Sequence, residues 1–249
     1  MKGVQKMSLP IGLQLWSVKD AMEADFFGTL ETVAAMGYDG VEFAGYQGYS
    51  AAEIKSKLDE LGLKVTGSHI QLELILNQTD DVIAFEKELG NSRIICPWAN
   101  FETEAEWRTF FDQLKVVGEK INEAGLELIY HNHYQEFETL DGVFILDAML
   151  EAVPCLKSEL DTYWSEFAGV ETVEWMKKHT GRLPVIHLKD MNSEIKESTT
   201  LGTGCLPIQT FVETANEVGV QWLVIEQEAF DQDPLKCVEI GLRNLKKLV

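Results

Sequence analysis

Six short apolar segments of the chain run directly into side chains that can bind a metal ion or transfer a proton. These side chains are all carboxylates and imidazoles: Glu42, His69, His131 with His133, Asp161, His187 and Glu226. Divalent transition metals accept mixed sets of such oxygen and nitrogen ligands. The same groups serve as general acids and bases near neutral pH. They can act together only if the fold brings the six segment ends to one place.

The sequence around these residues predicts the elements that position them. Amphipathic stretches close on a glycine or a glycine-containing turn and lead into the apolar segments, a pattern typical of helix, glycine cap and buried strand. Strand-like runs lie near residues 11–16, 40–44, 64–70, 93–97, 127–133, 157–161, 184–188 and 222–226. Helical patterns fall between them, for example at 23–36, 50–61, 103–124, 142–152, 170–179, 207–218 and 234–247.

Eight strand-helix units without a linker predict an α/β fold, a single (β/α)8 TIM barrel over residues 1–249. The strands are almost continuously apolar, as parallel strands are when both faces are covered. A doubly wound open sheet is the competing fold, but no glycine-rich phosphate loop follows the first strand. In a barrel the carboxyl ends of all strands meet at one mouth, so the six polar segment ends are expected there.

Composition excludes several classes of partner. The formal net charge of −20 argues against nucleic acid and acidic membrane surfaces, both of which need Lys and Arg on the protein. No apolar run is long enough for a membrane span, and the N-terminal residues lack the apolar region of a secretion signal. Four scattered cysteines without a CxxC pair indicate reduced thiols. We therefore expect a cytoplasmic protein that acts on a small molecule.

The run of strand-end motifs resembles the xylose isomerase-like barrel superfamily, which includes keto-sugar epimerases, inosose dehydratases and endonuclease IV. The motifs are VEF at strand two, SH at strand three, HNH at strand five, LDTYW at strand six, IHLKD at strand seven and VIEQE at strand eight. The resemblance covers nearly the whole chain. It implies one divalent ion, Mn²⁺, Co²⁺ or Zn²⁺, held by a Glu, an Asp, a His and a Glu on strands five to eight.

Three of the four implied ligands match this sequence: Asp161, His187 and Glu226. The departure is at strand five, where His131 stands in the place of the usual Glu. Alternation along a strand sends His133 to the same face, so it is a second candidate. We favour His131, because the residue after it is Asn, as in the Glu-Asn pair of some family members.

The resemblance also implies a mechanism of proton transfer through an enediolate. Family epimerases use two metal-bound glutamates on opposite sides of the substrate, and here one of them is an imidazole. We expect Glu226 to act as both ligand and base, with His133 or Glu136 as its partner. The same intermediate can expel a β-hydroxyl, and inosose dehydratases resemble this chain in having a His-rich fifth strand.

Substrate contacts are expected from residues at or just beyond the strand ends: Trp16, Glu42, His69, Trp98, Trp164 and Lys189. The tryptophans could pack on the C–H faces of a sugar, although packing at the barrel rim explains them equally well. Lys189 could donate to the substrate or pair with Asp190, and Glu42 could instead pair with a neighbouring cation. Glycine amides in the turn 201–207 could hold an anion, but the mouth has few cations, which favours an unphosphorylated substrate.

The leading hypothesis is a metal-dependent isomerase or epimerase of a small unphosphorylated keto sugar, aldose or cyclitol. A lyase that dehydrates an inosose or 3-keto sugar at the same site is the nearest alternative. A non-catalytic sugar-binding barrel is a third possibility. A nuclease would need further histidines on strands four and six, where the chain has CPWAN and Trp164. A homodimer is compatible with the sequence but no segment specifies it.

Overall fold

The computed structural model describes residues 9–249, which form a closed barrel of eight parallel strands surrounded by helices. Neighbours along the chain are neighbours in the barrel, and the last strand pairs with the first. This confirms the predicted TIM barrel. The strands are β1 Ile11–Gln14, β2 Gly40–Phe43, β3 Lys64–His69, β4 Arg93–Cys96, β5 Glu127–His131, β6 Lys157–Asp161, β7 Val185–Leu188 and β8 Trp222–Ile225.

Eleven α-helices are present in this part of the chain, more than the seven given above. They are α1 Lys19–Ala24, α2 Phe26–Met36, α3 Ala51–Leu61, α4 Leu72–Asn77, α5 Thr79–Leu89, α6 Glu104–Glu123, α7 Ile145–Ala152, α8 Thr162–Phe167, α9 Thr172–Lys178, α10 Ile208–Val218 and α11 Pro234–Leu245. Helices α4, α5 and α8 lie outside the ranges predicted from sequence. Helix α7 begins later than expected, because a two-stranded hairpin turns at Asp141 and Gly142, both with positive φ.

Four of the helices end on a glycine cap. Gly37, Gly62, Gly90 and Gly219 follow α2, α3, α5 and α10 in the left-handed conformation, with φ between 72° and 92°. A residue without a Cβ adopts that conformation at no steric penalty. The chain then reverses into a buried strand, so each cap sets where the next strand begins.

Two glycines, in β1 and β2, allow neighbouring parts of the barrel wall to pack closely against these strands. A Cβ at Gly12 would lie 2.7 Å from Thr66 Cγ2, and one at Gly40 would lie 2.6 Å from the Lys64 carbonyl oxygen. Side chains of any size at these positions would force the strands apart. The space inside the barrel is therefore given to larger polar side chains on the other strands.

All four cysteines are unpaired in the structure, as expected. None of the helices in residues 9–249 is both long and apolar enough to cross a bilayer. Residues 1–8, which the prediction about a secretion signal concerns, lie outside the described part of the chain. The cytoplasmic location stays a prediction.

Candidate metal centre and substrate pocket

Four side chains from adjacent strands converge at the barrel mouth. His131 ends β5, Asp161 ends β6, His187 lies in β7 and Glu226 follows β8. One ligand atom from each lies within 4.8 Å of the ligand atoms of the other three. The strand register produces this convergence, since Asp161 is aligned with His187 and both side chains point into the barrel.

The donor set of these four residues fits a divalent transition metal ion. Two imidazoles and two carboxylates are ligands that Mn²⁺, Co²⁺ and Zn²⁺ accept. All four residues are at least 95% buried, and Asp161 Oδ2 has no hydrogen-bond partner. The nearest cation to this oxygen is the Lys189 ammonium, 3.2 Å away, so the fit to a metal ion rests on the donor types and on their convergence.

A further acid, Glu159, lies against the same imidazoles and was not anticipated from the sequence. Its Oε2 atom is 2.8 Å from His69 Nε2, 3.1 Å from His131 Nδ1 and 3.2 Å from His187 Nε2. Together with these histidines it forms a second group whose ligand atoms lie within 4.8 Å of one another. The signal was available, since Glu159 precedes Asp161 by two residues and so faces the same side of β6.

Glu42 and Glu159 orient the imidazoles from below. His187 Nε2 contacts Glu42 Oε1 at 2.7 Å, while His187 Nδ1 faces Glu226 Oε2 at 3.1 Å. A metal-binding histidine usually has a carboxylate or carbonyl on its other ring nitrogen. Glu42 also accepts a hydrogen bond of 2.7 Å from Gln14 Nε2. Glu42 therefore lies below the four candidate metal ligands and holds the His187 ring in position. It is not among the residues that line the pocket.

The pKa values of the imidazoles and carboxylates below the candidate ligands depend on one another. Burial lowers the pKa of the His69 imidazole, but Glu42 and Glu159 outweigh it and raise that pKa to about 9. Burial raises the pKa of Glu42, yet His187 and His69 bring it well below its usual range. The two carboxylates thus favour the protonated form of the His69 imidazole.

Lys189 is fully buried beneath the mouth. Its Nζ lies 3.2 Å from Asp161 Oδ2, 2.9 Å from Glu226 Oε2 and 3.2 Å from Glu228 Oε2. Burial lowers the pKa of this ammonium, but the surrounding carboxylates raise it above its ordinary value. The same burial raises the pKa of Asp161 to about 6, against the effect of Lys189. Lys189 is thus paired with the acids of the centre and is not among the residues that line the pocket described below.

Asp190, the alternative partner of Lys189, has a different role. Its carboxylate accepts hydrogen bonds from the backbone amides of Met191, Gly202, Gly204 and Leu206 at 2.8 to 3.1 Å. The turn 201–207 does hold an anion, but the anion is a side chain of the same protein. Those amides are therefore not free to bind a substrate phosphate.

His133 and Glu136, the two predicted partners of Glu226, differ in their relation to the pocket. His133 lines the pocket, and burial together with Lys189 lowers its pKa to about 4. It belongs to neither group of potential ligands. Glu136 is fully buried, with Tyr130 Oη at 2.6 Å from one oxygen and the His133 backbone N–H at 2.8 Å from the other. It anchors the turn after β5 and does not reach the pocket.

The pocket above the centre has a volume of about 770 Å³. Of the residues predicted to contact substrate, Trp16, His69 and Trp98 line this pocket, whereas Glu42, Trp164 and Lys189 do not. Trp164 instead packs against His133, with ring centroids 5.4 Å apart. The lining residues are Trp16, Ala44, Gly45, Tyr46, Gln47, Gly48, Tyr49, His69, Ile70, Gln71, Leu74, Phe85, Pro97, Trp98, His131, His133, Glu226 and Glu228.

Comparison with known proteins connects this site to one family. Residues 30–248 match the profile of the xylose isomerase-like TIM barrel. An inosose dehydratase of Geobacillus thermodenitrificans is 27% identical over 153 residues, which are 53% of this chain and 49% of that protein. The chain spans about half the length of the curated relatives it matches.

Solved structures show the same fold over nearly the whole chain. A sugar phosphate isomerase/epimerase from Parabacteroides distasonis superposes with a TM-score of 0.84 at 22% identity, covering 99% of this chain and 96% of that one. An L-ribulose 3-epimerase superposes with a TM-score of 0.77 at 15% identity, covering 97% and 94%. At these identities the likeness concerns the fold.

Proposed function

Because the chain belongs to the xylose isomerase-like TIM barrel family, we propose that it is a metal-dependent enzyme acting on an unphosphorylated keto sugar or keto cyclitol. The reaction begins with removal of a proton from the carbon beside the carbonyl. The observation that supports this most directly is the convergence of His131, Asp161, His187 and Glu226 beneath a pocket. Relatives named as dehydratases and epimerases are compatible with such a step.

His131, Asp161, His187 and Glu226 would hold one divalent ion, Mn²⁺, Co²⁺ or Zn²⁺. When bound, such an ion acts as a Lewis acid that polarises the substrate carbonyl. Glu226 is the member of this set that presents a carboxylate to the pocket, so we assign it the proton abstraction. Glu42 and Glu159 hold the His187 and His131 rings in position.

We favour β-elimination as the outcome of this first step. The pocket carboxylates, Glu226 and Glu228, both follow β8 and thus lie on one side of the mouth. On the other strands the pocket presents imidazoles, His69 on β3 and His131 with His133 at β5. An elimination needs one base and one proton donor for the leaving group, whereas the epimerase pattern has carboxylates on both sides. The curated relatives named as inosose dehydratases agree with a lyase.

Isomerisation or epimerisation, the leading hypothesis from the sequence, is the second candidate. His133 supports it, because this imidazole lines the pocket from the β5 side while Glu226 lines it from the β8 side. A proton removed by one could be replaced by the other on the opposite face of the same carbon. Both outcomes share the first step and differ only in the fate of the enediolate.

The pocket also bears on the charge of the substrate. None of the residues that line it in the described part of the chain is Lys or Arg. Phosphate recognition ordinarily uses such cations or several free amides. With the net charge of −20, this supports an unphosphorylated small molecule and no nucleic acid. A homodimer stays a prediction.

The test combines metal content with product analysis. Protein loaded with Mn²⁺, Co²⁺ or Zn²⁺ is freed of excess metal and assayed for bound ion, then incubated in D₂O with inososes and 3-keto sugars. We expect about one ion per chain, solvent deuterium at the carbon next to the carbonyl, and loss of water with a new enone absorbance. A changed configuration without water loss would identify the isomerase. Sugar binding that survives metal removal, without exchange or turnover, would contradict both enzymes.

A further inference from the structure

The pocket is larger than the proposed substrate ring requires. Its volume of about 770 Å³ lies in the upper half of the range of roughly 300 to 1,000 Å³ that holds drug-sized ligands. A single hexose or cyclitol ring fills only a fraction of such a space. The open cleft therefore has room for a second group attached to that ring.

The two ends of the pocket differ in chemistry. The end near β5 and β8 carries the imidazoles and carboxylates of the candidate centre. The other end is walled by aromatic and aliphatic side chains from the segments after β2, β3 and β4: Tyr46, Tyr49, Ile70, Leu74, Phe85, Pro97 and Trp98. The glutamines of the lining, Gln47 and Gln71, are exposed at the rim. Trp98 is 50% exposed, which is a large apolar surface to leave in water.

The aromatic wall is preformed. The rings of Tyr46 and Phe85 lie 4.4 Å apart. The Tyr46 hydroxyl donates to Glu86, whose carboxylate also accepts from Ser68 Oγ at 3.0 Å and Asn91 Nδ2 at 2.8 Å. This buried network fixes the ring and occupies its hydroxyl. Tyr46 therefore offers the pocket an aromatic face, and a sugar hydroxyl would find few partners at this end.

We propose that the substrate is a keto glycoside whose aromatic aglycone binds at the apolar end, with its keto sugar ring at the candidate metal centre. This inference rests on the proposed function and specifies its leaving group. The proton on the carbon between the carbonyl and the anomeric carbon goes to Glu226. Its electron pair forms the new C=C bond as the bond from the anomeric carbon to the aglycone oxygen breaks. The proton taken by Glu226 returns through solvent water to the aglycone oxygen, and the products are an unsaturated keto sugar and a free phenol, with no net oxidation or reduction.

A binding experiment tests the aromatic subsite without relying on turnover. The metal-loaded protein is titrated by calorimetry with 4-nitrophenyl β-D-glucoside and methyl β-D-glucoside, neither of which has the carbonyl needed for reaction. Burial of the aryl ring is expected to lower Kd at least tenfold relative to the methyl compound, at roughly 25 cal/mol per Å² of apolar surface. Phe85→Ala and Trp98→Ala should each reduce that ratio several-fold. Phe167→Ala, an exposed aromatic outside the pocket lining, is the matched control and should leave the ratio unchanged.

A second arm uses 4-nitrophenyl 3-keto-β-D-glucoside, whose elimination releases coloured 4-nitrophenolate. Tight binding of the aryl glucoside with release of nitrophenolate supports the inference and the proposed function together. Tight aryl binding without release supports the subsite and counts against the proposed reaction. Equal Kd values for the aryl and methyl glucosides, with wall variants that behave as wild type, would overturn the subsite even if free keto sugars are dehydrated.

Discussion

Among the single residues of the site, Glu226 is both a candidate metal ligand and part of the pocket lining. Burial raises the pKa of this carboxyl, but Lys189 and His187 lower it well below its ordinary range. It is therefore ionised at neutral pH and able to accept a proton from carbon.

Replacing Glu226 by Gln should separate ligation from proton transfer. The amide oxygen can still coordinate a metal ion, but the amide cannot act as a base. We expect turnover to fall by at least about 10²-fold, the usual scale for a general base, with the fold and much of the metal retained. Deuterium exchange at the carbon beside the carbonyl should fall in parallel. If a substrate is converted by the wild type without any exchanged deuterium, the role assigned to Glu226 must be withdrawn.

The two histidines of the fifth strand end should respond differently to substitution. His131 is one of the four convergent donors and His133 is not, although both line the pocket. His131→Ala is therefore expected to lower metal occupancy by at least about tenfold, as removal of a direct ligand should, and more than His133→Ala does. Metal content of the two purified variants after equal loading and dialysis is the measurement. Equal loss in both, or a larger loss in His133→Ala, would show that His133 supplies the ligand.

Lys189 provides a test of charge balance. Its ammonium faces Asp161, Glu226 and Glu228, so Lys189→Met leaves three carboxylates without their internal cation. Breaking a buried ion pair in this way costs about 3 to 5 kcal/mol. We expect a lower Tm in EDTA and a larger rise in Tm on adding Mn²⁺ than in wild type, because the metal then neutralises the acids alone.

Lys19→Met is the control for that experiment. Lys19 is an exposed cation over the Trp16 ring, with its Nζ 4.3 Å from the ring centroid. Its removal should change Tm little with or without metal. A Lys189→Met protein as stable as wild type in EDTA would show that the ammonium does not support the acidic centre.

At the scale of elements, one carboxylate ties two outer helices together. Asp147 on α7 accepts hydrogen bonds from Trp175 Nε1 at 2.9 Å on α9 and from His179 Nε2 at 2.8 Å just after it, and it pairs with Lys178. Burial raises the pKa of Asp147, but His179 and Lys178 lower it from 3.8 to about 2. The contact therefore favours the ionised form in the folded protein.

This shift predicts a pH dependence of stability. The pKa of Asp147 is lower in the folded than in the unfolded chain, so its contribution is complete above about pH 4 and is lost as pH falls toward 2. The size is at most about 2 kcal/mol, from 1.4 kcal/mol per pKa unit, because solvent screens this partly exposed ion pair. Denaturant unfolding of wild type and Asp147→Asn should differ by about this amount at pH 6 and by clearly less at pH 3. The exposed acid Asp141, replaced by Asn, is the control. A difference that is constant with pH would refute the assignment.

The whole molecule carries a charge of −20, from 41 acidic and 21 basic residues. Such an excess repels itself more strongly in the compact state than in the unfolded chain. Salt shortens the screening length from about 30 Å at 0.01 M to about 8 Å at 0.15 M, so most of this repulsion is removed in that range.

We therefore expect NaCl to stabilise the metal-free protein between 0.01 and 0.15 M. A gain of about 1 kcal/mol would raise Tm by roughly 2 to 4 °C for a chain of this size. Differential scanning calorimetry in EDTA measures it, and sucrose at matched osmolality controls for effects unrelated to charge. A Tm that falls over this range would show that favourable ion pairs outweigh the net repulsion.

The sequence alone determined the barrel and the location of its chemistry. Helix periodicity, glycine caps and apolar strand segments are local properties, and each survives in the structure within a few residues. The proximity of Asp161, His187, Glu226 and the histidines of the fifth strand follows from them, because closing eight parallel strands brings all carboxyl ends to one mouth. The preference for His131 over His133 came from the family resemblance. The resemblance inferred from HNH, LDTYW, IHLKD and VIEQE is confirmed by the family match over residues 30–248.

Only the tertiary structure decided which polar side chains face the pocket and which support it. Glu159 joins the histidines, Lys189 lies beneath the acids, and Glu136 is held by Tyr130. These outcomes depend on distances between strands that are far apart in sequence and on the partners each buried charge must find. A residue type at a strand end predicts proximity to the mouth, but the partner that satisfies its charge is set by the packing of the whole barrel.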